Sequence, residues 1–340
     1  MKQINLSSIL KKKEARIKGF FKISSLVFIG LITIVLHKEN VNGQSRVKLD
    51  EVIRTQLKKE GKASQFIKTS QGIMHVRVNG PDSGSVVLLV HGAVVGGYAF
   101  ENWKKPLVDA GYKIIIPDLL GYGYSDRPKN NYTKEFYVQQ LKELLDTLRI
   151  IKKVNVIGAS QGGGFVLAFA SAFPKRIKTV GLIAPNGGGD VRIVNKFLRA
   201  PIIGDFIFKN FGAKTMYNMI SKSYKGNPAR EGMLNWMKEQ GKYKGYGEGV
   251  LNSIRHTLAN RAITWQPEAM DIIGKYQIPA FAAWGNKDET VPYEHSAIFK
   301  NHIPQLQLFT LDGKDHAIAF GQAETILSAY IPFLNQSNFK

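Results

Sequence analysis

An apolar, β-branched run, Val154 to Ile157, leads directly into Gly158-Ala159-Ser160-Gln161-Gly162, and a helix-forming stretch from Phe165 to Phe173 follows. A strand that becomes a helix within so few residues has to turn sharply. A side chain at Gly158 or Gly162 would strike the neighbouring strand or helix, and Ser160 between them must take a strained backbone conformation. That strain lifts the hydroxyl clear of the sheet, where the first N–H groups of the helix face the same space. Ser160 is thus a candidate nucleophile on a strand-to-helix elbow. A Gly/Ser loop that merely turns the chain would use the same residue types, so the rest of the sequence has to decide.

The chain around the elbow alternates strand-like and helix-like runs. Phe66 to Thr69 and Ile73 to Val78 flank Ser70-Gln71-Gly72 as an antiparallel hairpin. Val86–Val90, Lys113–Ile116, Val154–Ile157 and Thr179–Ile183 are short apolar runs of the kind buried in a parallel sheet. Ala280–Trp284 and Gln305–Leu311 add two late strands, and Ala323 to Leu334 a closing helix. Such repeated β-α units predict an α/β fold, a mostly parallel sheet covered by helices. Between Pro185 and Ile278 the rhythm stops. Roughly 90 residues show only helix-like segments (Phe197 to Phe211, Met216 to Ser223, Arg230 to Gln240, Gly249 to Ala262), too many for a loop. The expected organisation is a leader over 1–43, a linker with a short helix over 44–63, a core over 64–185 and 279–336, and a helical cap over 186–278.

Composition sets limits on function. There is no cysteine, which excludes disulfides, thiolate catalysis and cysteine-based metal sites. The net charge of +21 is concentrated in part at the N-terminus: residues 1–22 contribute +6 and residues 44–340 the remaining +15. The latter are dispersed, with no Arg-rich arm and no nucleic-acid module, so no nucleic-acid partner is expected. A basic surface of this kind suits anionic membranes or acidic partners. Behind the basic N-terminus lies an apolar run of 14 residues, Ile23 to Leu36. A membrane span needs about 20, whereas a signal-peptide core has about 7–15. Export to the periplasm or medium with cleavage near Gly43 is the expectation; an uncleaved anchor over 20–36 is the alternative.

A serine hydroxyl needs a base to take its proton and donors to hold the developing oxyanion. Of the seven histidines, His316 follows a late strand in Leu311-Asp312-Gly313-Lys314-Asp315-His316, where a loop can carry it over the carboxyl edge of the sheet. Asp288, in Trp284-Gly285-Asn286-Lys287-Asp288, is the candidate to orient that imidazole, with Glu289 its rival. One oxyanion donor comes with the elbow, the Gln161 N–H. The second is expected from Leu89-Val90-His91-Gly92-Ala93, as the Ala93 N–H, with His91 organising that loop. The order Ser160, Asp288, His316 is one of several in which such a triad occurs.

These residues resemble the α/β-hydrolase superfamily, in its capped branch with His-Gly before the second donor. The matching pieces are Leu89-Val90-His91-Gly92, Pro117-Asp118 through Arg127-Pro128, Gly158-x-Ser160-x-Gly162-Gly163, Trp284-Gly285-x-x-Asp288-x-x-Val291-Pro292 and Gly313-x-Asp315-His316. The resemblance covers about Phe66 to Leu334. The resemblance implies a central sheet of about eight strands, a cap after the sixth, triad roles for Ser160, Asp288 and His316, and no metal or organic cofactor. It also makes Gly121–Pro128 a turn shaping the pocket floor. Dehalogenases and epoxide hydrolases of this fold carry an aspartate at the elbow, and this chain carries serine. Gln161 departs from the family, where Met is frequent. The expected activity is hydrolysis of an ester or similar acyl bond of a small, mostly apolar substrate. Carbon–carbon hydrolases, acyltransferases and perhydrolases share the apparatus, and a ligand-binding protein could reuse the fold. Within the cap, Phe197, Met216, Tyr217, Met219 and Trp236 are candidates to line the substrate pocket. The cap's surplus of Lys and Arg, net +7 over 187–275, is expected on its outer face. Oligomeric state is left open.

Overall fold

The computed structural model describes residues 47–62, 64–191, 200, 202–225, 230–259 and 261–338. The leader and Phe197 lie outside the described residues. Eight strands form one sheet: β1 (Gln65–Thr69), β2 (Gly72–Asn79), β3 (Val86–Val90), β4 (Lys113–Pro117), β5 (Val154–Ala159), β6 (Ile177–Ile183), β7 (Ala280–Gly285) and β8 (Leu306–Leu311). Their spatial order is β1-β2-β4-β3-β5-β6-β7-β8. β1, β2 and β4 pair antiparallel, while every pair from β4 through β8 is parallel. This is the α/β-hydrolase architecture that the motifs imply. β3 and β5 are buried along their whole length, which is why they read as unbroken apolar runs.

The order reverses at β3, which has β4 on one side and β5 on the other. Loops leaving the carboxyl ends of β3 and β5 therefore diverge and leave a crevice between them, the usual ligand position of an open α/β sheet. The segment after β3 and the Ser160 elbow after β5 meet at that point.

Helices α1 (Glu51–Lys59), α2 (Lys104–Asp109), α3 (Lys134–Thr147) and α4 (Gln161–Ala172) accompany the first five strands. α1 is started by Asp50, whose carboxylate accepts the Ile53 N–H at 3.1 Å. It is docked rather than free: Leu57 is buried in a cluster with Tyr124 and Tyr243, and Arg54 pairs with Asp126. Between β6 and β7 lie α5 (Ile203–Ser223), α6 (Arg230–Gly241), α7 (Tyr246–His256) and α8 (Pro267–Lys275). α5, α6 and α7 pack on one another, whereas α8 lies against α4. α9 (His295–His302), α10 (Ile318–Gly321) and α11 (Ala323–Asn338) complete the chain. A 3-10 stretch, Gly96–Trp103, follows β3 with no counterpart in the sequence reading. No helix of the described residues is long and apolar enough to cross a membrane.

Candidate active site

Ser160 sits between β5 and α4 with φ 52° and ψ −118°, a conformation that a non-glycine residue keeps only when its surroundings impose it. Here they do. Its N–H donates to the Ile183 carbonyl at 2.9 Å, and its own carbonyl accepts the N–H groups of Gly163 (2.9 Å) and Asn186 (3.0 Å). A Cβ on Gly162 would lie 2.2 Å from the Val90 carbonyl oxygen, and one on Gly158 2.4 Å from the Gly162 oxygen. Both glycines are thus required by close approach of backbone to backbone.

His316 arrives on the loop after β8 and Asp288 on the loop after β7. His316 Nε2 lies 2.9 Å from Ser160 Oγ, and its Nδ1 lies 2.7 Å from Asp288 Oδ2. The other Asp288 oxygen accepts the N–H groups of Thr290 and Val291, each at 2.9 Å. A carboxylate so held accepts the Nδ1–H, which leaves Nε2 as the free base facing the serine. The Asp288 side chain is fully shielded from solvent, while Glu289 is exposed and outside this chain of contacts. The three residues thus form a line of hydrogen bonds from a buried carboxylate to an accessible hydroxyl.

The Gly92-Ala93 segment crosses directly over the elbow: a Cβ on Gly92 would come within 3.1 Å of Ser160 Cβ. Gln161 is the first residue of α4, so its N–H has no carbonyl partner within the helix. His91 is buried and holds the loop. Its Nδ1–H donates to the Gly92 carbonyl (2.7 Å), and its Nε2 accepts the Leu119 N–H (2.9 Å). Burial pushes its pKa down to about 4, and both ring nitrogens are committed.

Below this loop lies a second aspartate–histidine contact. Asp118, fully buried, accepts from His75 Nδ1 (2.7 Å), Gly97 N–H (2.8 Å) and Tyr124 N–H (3.1 Å), with Arg77 at 3.5 Å. Burial alone would raise its pKa, but Arg77 and His75 hold it well below the carboxylate range. Ser125 belongs to the same network through the backbone, its Oγ accepting the His75 N–H at 2.8 Å and donating to the Asp118 carbonyl, and the whole pins the turn after β4 beneath the site. Among the described residues, no group of three His, Asp or Glu side chains stands where it could hold a metal ion.

The expected pocket residues separate. The Trp236 Nε1–H donates to the Val95 carbonyl at 2.7 Å, and its ring stacks on Tyr98 at 5.3 Å, beside the loop after β3. Tyr98 in turn meets Phe320, four residues past His316. Met216 is buried in the core, Tyr217 is half-buried under the Lys238 ammonium, and Met219 is exposed. Gln161 is buried and hydrogen-bonded by Tyr122, Ser253 and Thr257. Sequence reasoning missed those partners and Tyr98; the polar side chain of Gln161 directly after the elbow serine was the only trace of them.

A sequence profile of the alpha/beta hydrolase fold family matches residues 85–215. Lipase 1 of Psychrobacter immobilis is 29% identical over 249 residues, covering 70% of this chain and 73% of its own. A 2-hydroxy-6-oxo-6-phenylhexa-2,4-dienoate hydrolase of Comamonas testosteroni is 26% identical over 294 residues, covering 82% and 98%. Among solved structures, a meta-cleavage product hydrolase of Pseudomonas fluorescens superposes with a TM-score of 0.65 at 20% identity, over 81% of this chain and 98% of its own. At that identity the likeness is one of fold.

Proposed function

The chain carries the α/β-hydrolase fold, and on that premise we propose that it is a serine hydrolase which cleaves an ester or similar acyl bond of a small, mostly apolar substrate. The observation that carries this reading is the hydrogen-bonded line from Ser160 Oγ through His316 to Asp288. In the proposed reaction His316 Nε2 takes the Ser160 proton as Oγ attacks the carbonyl carbon. The backbone N–H groups of Ala93 and Gln161 hold the oxyanion of the tetrahedral intermediate. The imidazolium, stabilised by Asp288, then protonates the departing alcohol to leave an acyl-enzyme. Water, deprotonated by the same nitrogen, reverses the sequence and frees the acid. His91, neutral and with both nitrogens engaged, takes no part.

An apolar substrate is supported by the aromatic rings of Trp236, Tyr98 and Phe320, which stand beside the two loops that carry the donor and the base. A fluorophosphonate probe, which reacts only with an activated serine, should label the protein at Ser160. Ser160→Ala should lose labelling and at least about 10⁴-fold in kcat, with its melting temperature nearly unchanged, because the hydroxyl contributes no core packing. Medium-chain and aromatic esters should give higher kcat/KM than acetates or anionic acyl groups. Comparable rates across that panel would overturn the apolar-pocket reading and leave the triad standing.

A second reading, hydrolysis of a carbon–carbon bond, is favoured by the Comamonas testosteroni relative, whose match extends over nearly its whole length. Turnover of 2-hydroxy-6-oxo-6-phenylhexa-2,4-dienoate faster than of aryl esters would select it. We also propose that the basic leader directs export, with cleavage near Gly43.

A further inference from the structure

The two backbone segments that would supply the oxyanion donors are gripped by one helix from the region inserted after β6. At its first residue, the Tyr246 hydroxyl donates to the Val94 carbonyl at 2.9 Å. Val94 directly follows Ala93 and has φ 78°, a left-handed conformation that a β-branched residue adopts only under constraint. Two turns further along α7, the Ser253 hydroxyl stands 3.0 Å from Gln161 Nε2, and Thr257, which ends the helix, accepts from the same nitrogen at 2.8 Å. Residues 246, 253 and 257 share one face of the helix by their spacing.

The Gln161 side chain is satisfied on both sides. Both Nε2 hydrogens are used on α7, and Oε1 accepts the Tyr122 hydroxyl at 3.1 Å. Thr257 gives its own proton to the Ser253 carbonyl (2.6 Å), so its lone pairs are left to face Gln161. Tyr122 also meets His91 edge-on at 4.9 Å, and His91 holds Gly92. Burial raises the phenols of Tyr122 and Tyr246 far above their ordinary value, so both remain O–H donors. All these groups are shielded from solvent, where such bonds are stiff and costly to leave unmade.

We propose that α7 is the positioning element of the oxyanion site: Tyr246 and the Ser253–Thr257 pair set the spacing and direction of the Ala93 and Gln161 N–H groups without touching substrate. The proposal rests on the reading of Ser160 as the nucleophile. An oxyanion donor acts only if it points at the place where charge develops, so a shift of a fraction of an ångström weakens the transition state and leaves ground-state binding intact. A helix that merely walled the pocket or stabilised the fold would not show that selectivity.

The test uses the full chain with Tyr246→Phe and Thr257→Val, each of which removes a hydroxyl and keeps the bulk of the side chain, and Thr257→Ser, which restores the hydroxyl. With a medium-chain aryl ester, kcat should fall roughly tenfold in each of the first two, less than the loss of a donor itself. KM should stay within about twofold, the pKa of the acid limb of kcat/KM should not move, and Thr257→Ser should recover most of the rate. An aryl trifluoromethyl ketone, which forms a tetrahedral adduct with a serine, should lose affinity by the same factor as kcat/KM. A raised KM with unchanged kcat, lowered melting temperatures with normal kinetics, or no recovery in Thr257→Ser would overturn the proposal. If Thr257→Val does not fold, Tyr246→Phe alone decides by the same readouts. Wild-type protein that fluorophosphonate does not label would overturn the serine-hydrolase reading itself, before any variant is compared.

Discussion

At the scale of single residues, two carboxylates next to each other in sequence have opposite environments. Asp288 is buried, accepts two backbone N–H groups and faces His316, whereas Glu289 is exposed. Asp288→Asn should lower kcat by about 10⁴-fold, because the amide favours the wrong imidazole tautomer, while Glu289→Gln should retain wild-type rates on the same ester. The reverse pattern would reassign the acid. His91 makes a separate prediction about pH. It stays neutral in the folded protein down to about pH 4, where burial has put its pKa, but in the unfolded chain it protonates near 6.5. The unfolded state therefore binds the extra proton. The contribution of His91 to stability is complete above pH 6.5 and is lost as pH falls towards 4, by about 3 kcal/mol in all. Urea unfolding between pH 7 and 4.5 should show this slope, and His91→Gln should flatten it. An equal slope in the variant would place the titration elsewhere.

Elements meet closely where β3, β5 and α4 converge. Gly162→Ala would put a methyl group 2.2 Å from the Val90 carbonyl oxygen and 2.5 Å from that of His91, so α4 or the end of β3 must move. Such overlap between rigid backbones should cost about 3 kcal/mol or more and displace Ser160 from His316. Thermal unfolding and ester turnover measured on the same sample check both; a variant with wild-type values for each would mean that the junction has slack. The strands were readable because a parallel strand buried on both sides is a short apolar run, as in Val86–Val90. The inserted helices were less so. Phe197–Phe211 and Met216–Ser223 read as two segments, yet one helix runs from Ile203 to Ser223. Gly212, a local helix breaker, is used there for close packing: a Cβ on it would lie 2.9 Å from Gly247 Cα of α7. Propensity saw the cost of the glycine, and only the crossing of two helices explains it.

For the whole molecule, the prediction with the largest consequence concerns the N-terminus. The proposed cleavage near Gly43 rests on the basic stretch and on an apolar run of 14 residues, short of the about 20 that a span needs. Protein purified from a host with the matching export machinery should have an N-terminus near Gln44 by intact mass and terminal sequencing. Full-length mass with recovery in the membrane fraction would select the anchor instead. Either way the first described residue, Val47, already belongs to the folded part: its N–H donates to the Lys242 carbonyl and its carbonyl accepts from Lys244.

By itself the sequence determined the residue types and their order along the chain. A serine between glycines, a histidine after a late strand and an aspartate after the strand before it are chemically demanding choices, so Ser160, His316 and Asp288 stand out without coordinates. It also determined the α/β class, because continuous apolar runs separated by amphipathic ones have few other solutions. What only the tertiary structure decided is who supports whom. Tyr246, Ser253 and Thr257 are ordinary helix residues in sequence, and nothing local marks a hydroxyl that points at a buried amide. Their importance arises from contacts between residues some ninety to one hundred and fifty positions apart, Gln161 with Ser253 and Val94 with Tyr246. Such pairings depend on how helices pack on the sheet, and short-range patterning carries no information about it. The same reason separates Asp288 from Glu289: a burial difference between neighbours is a property of the fold around them.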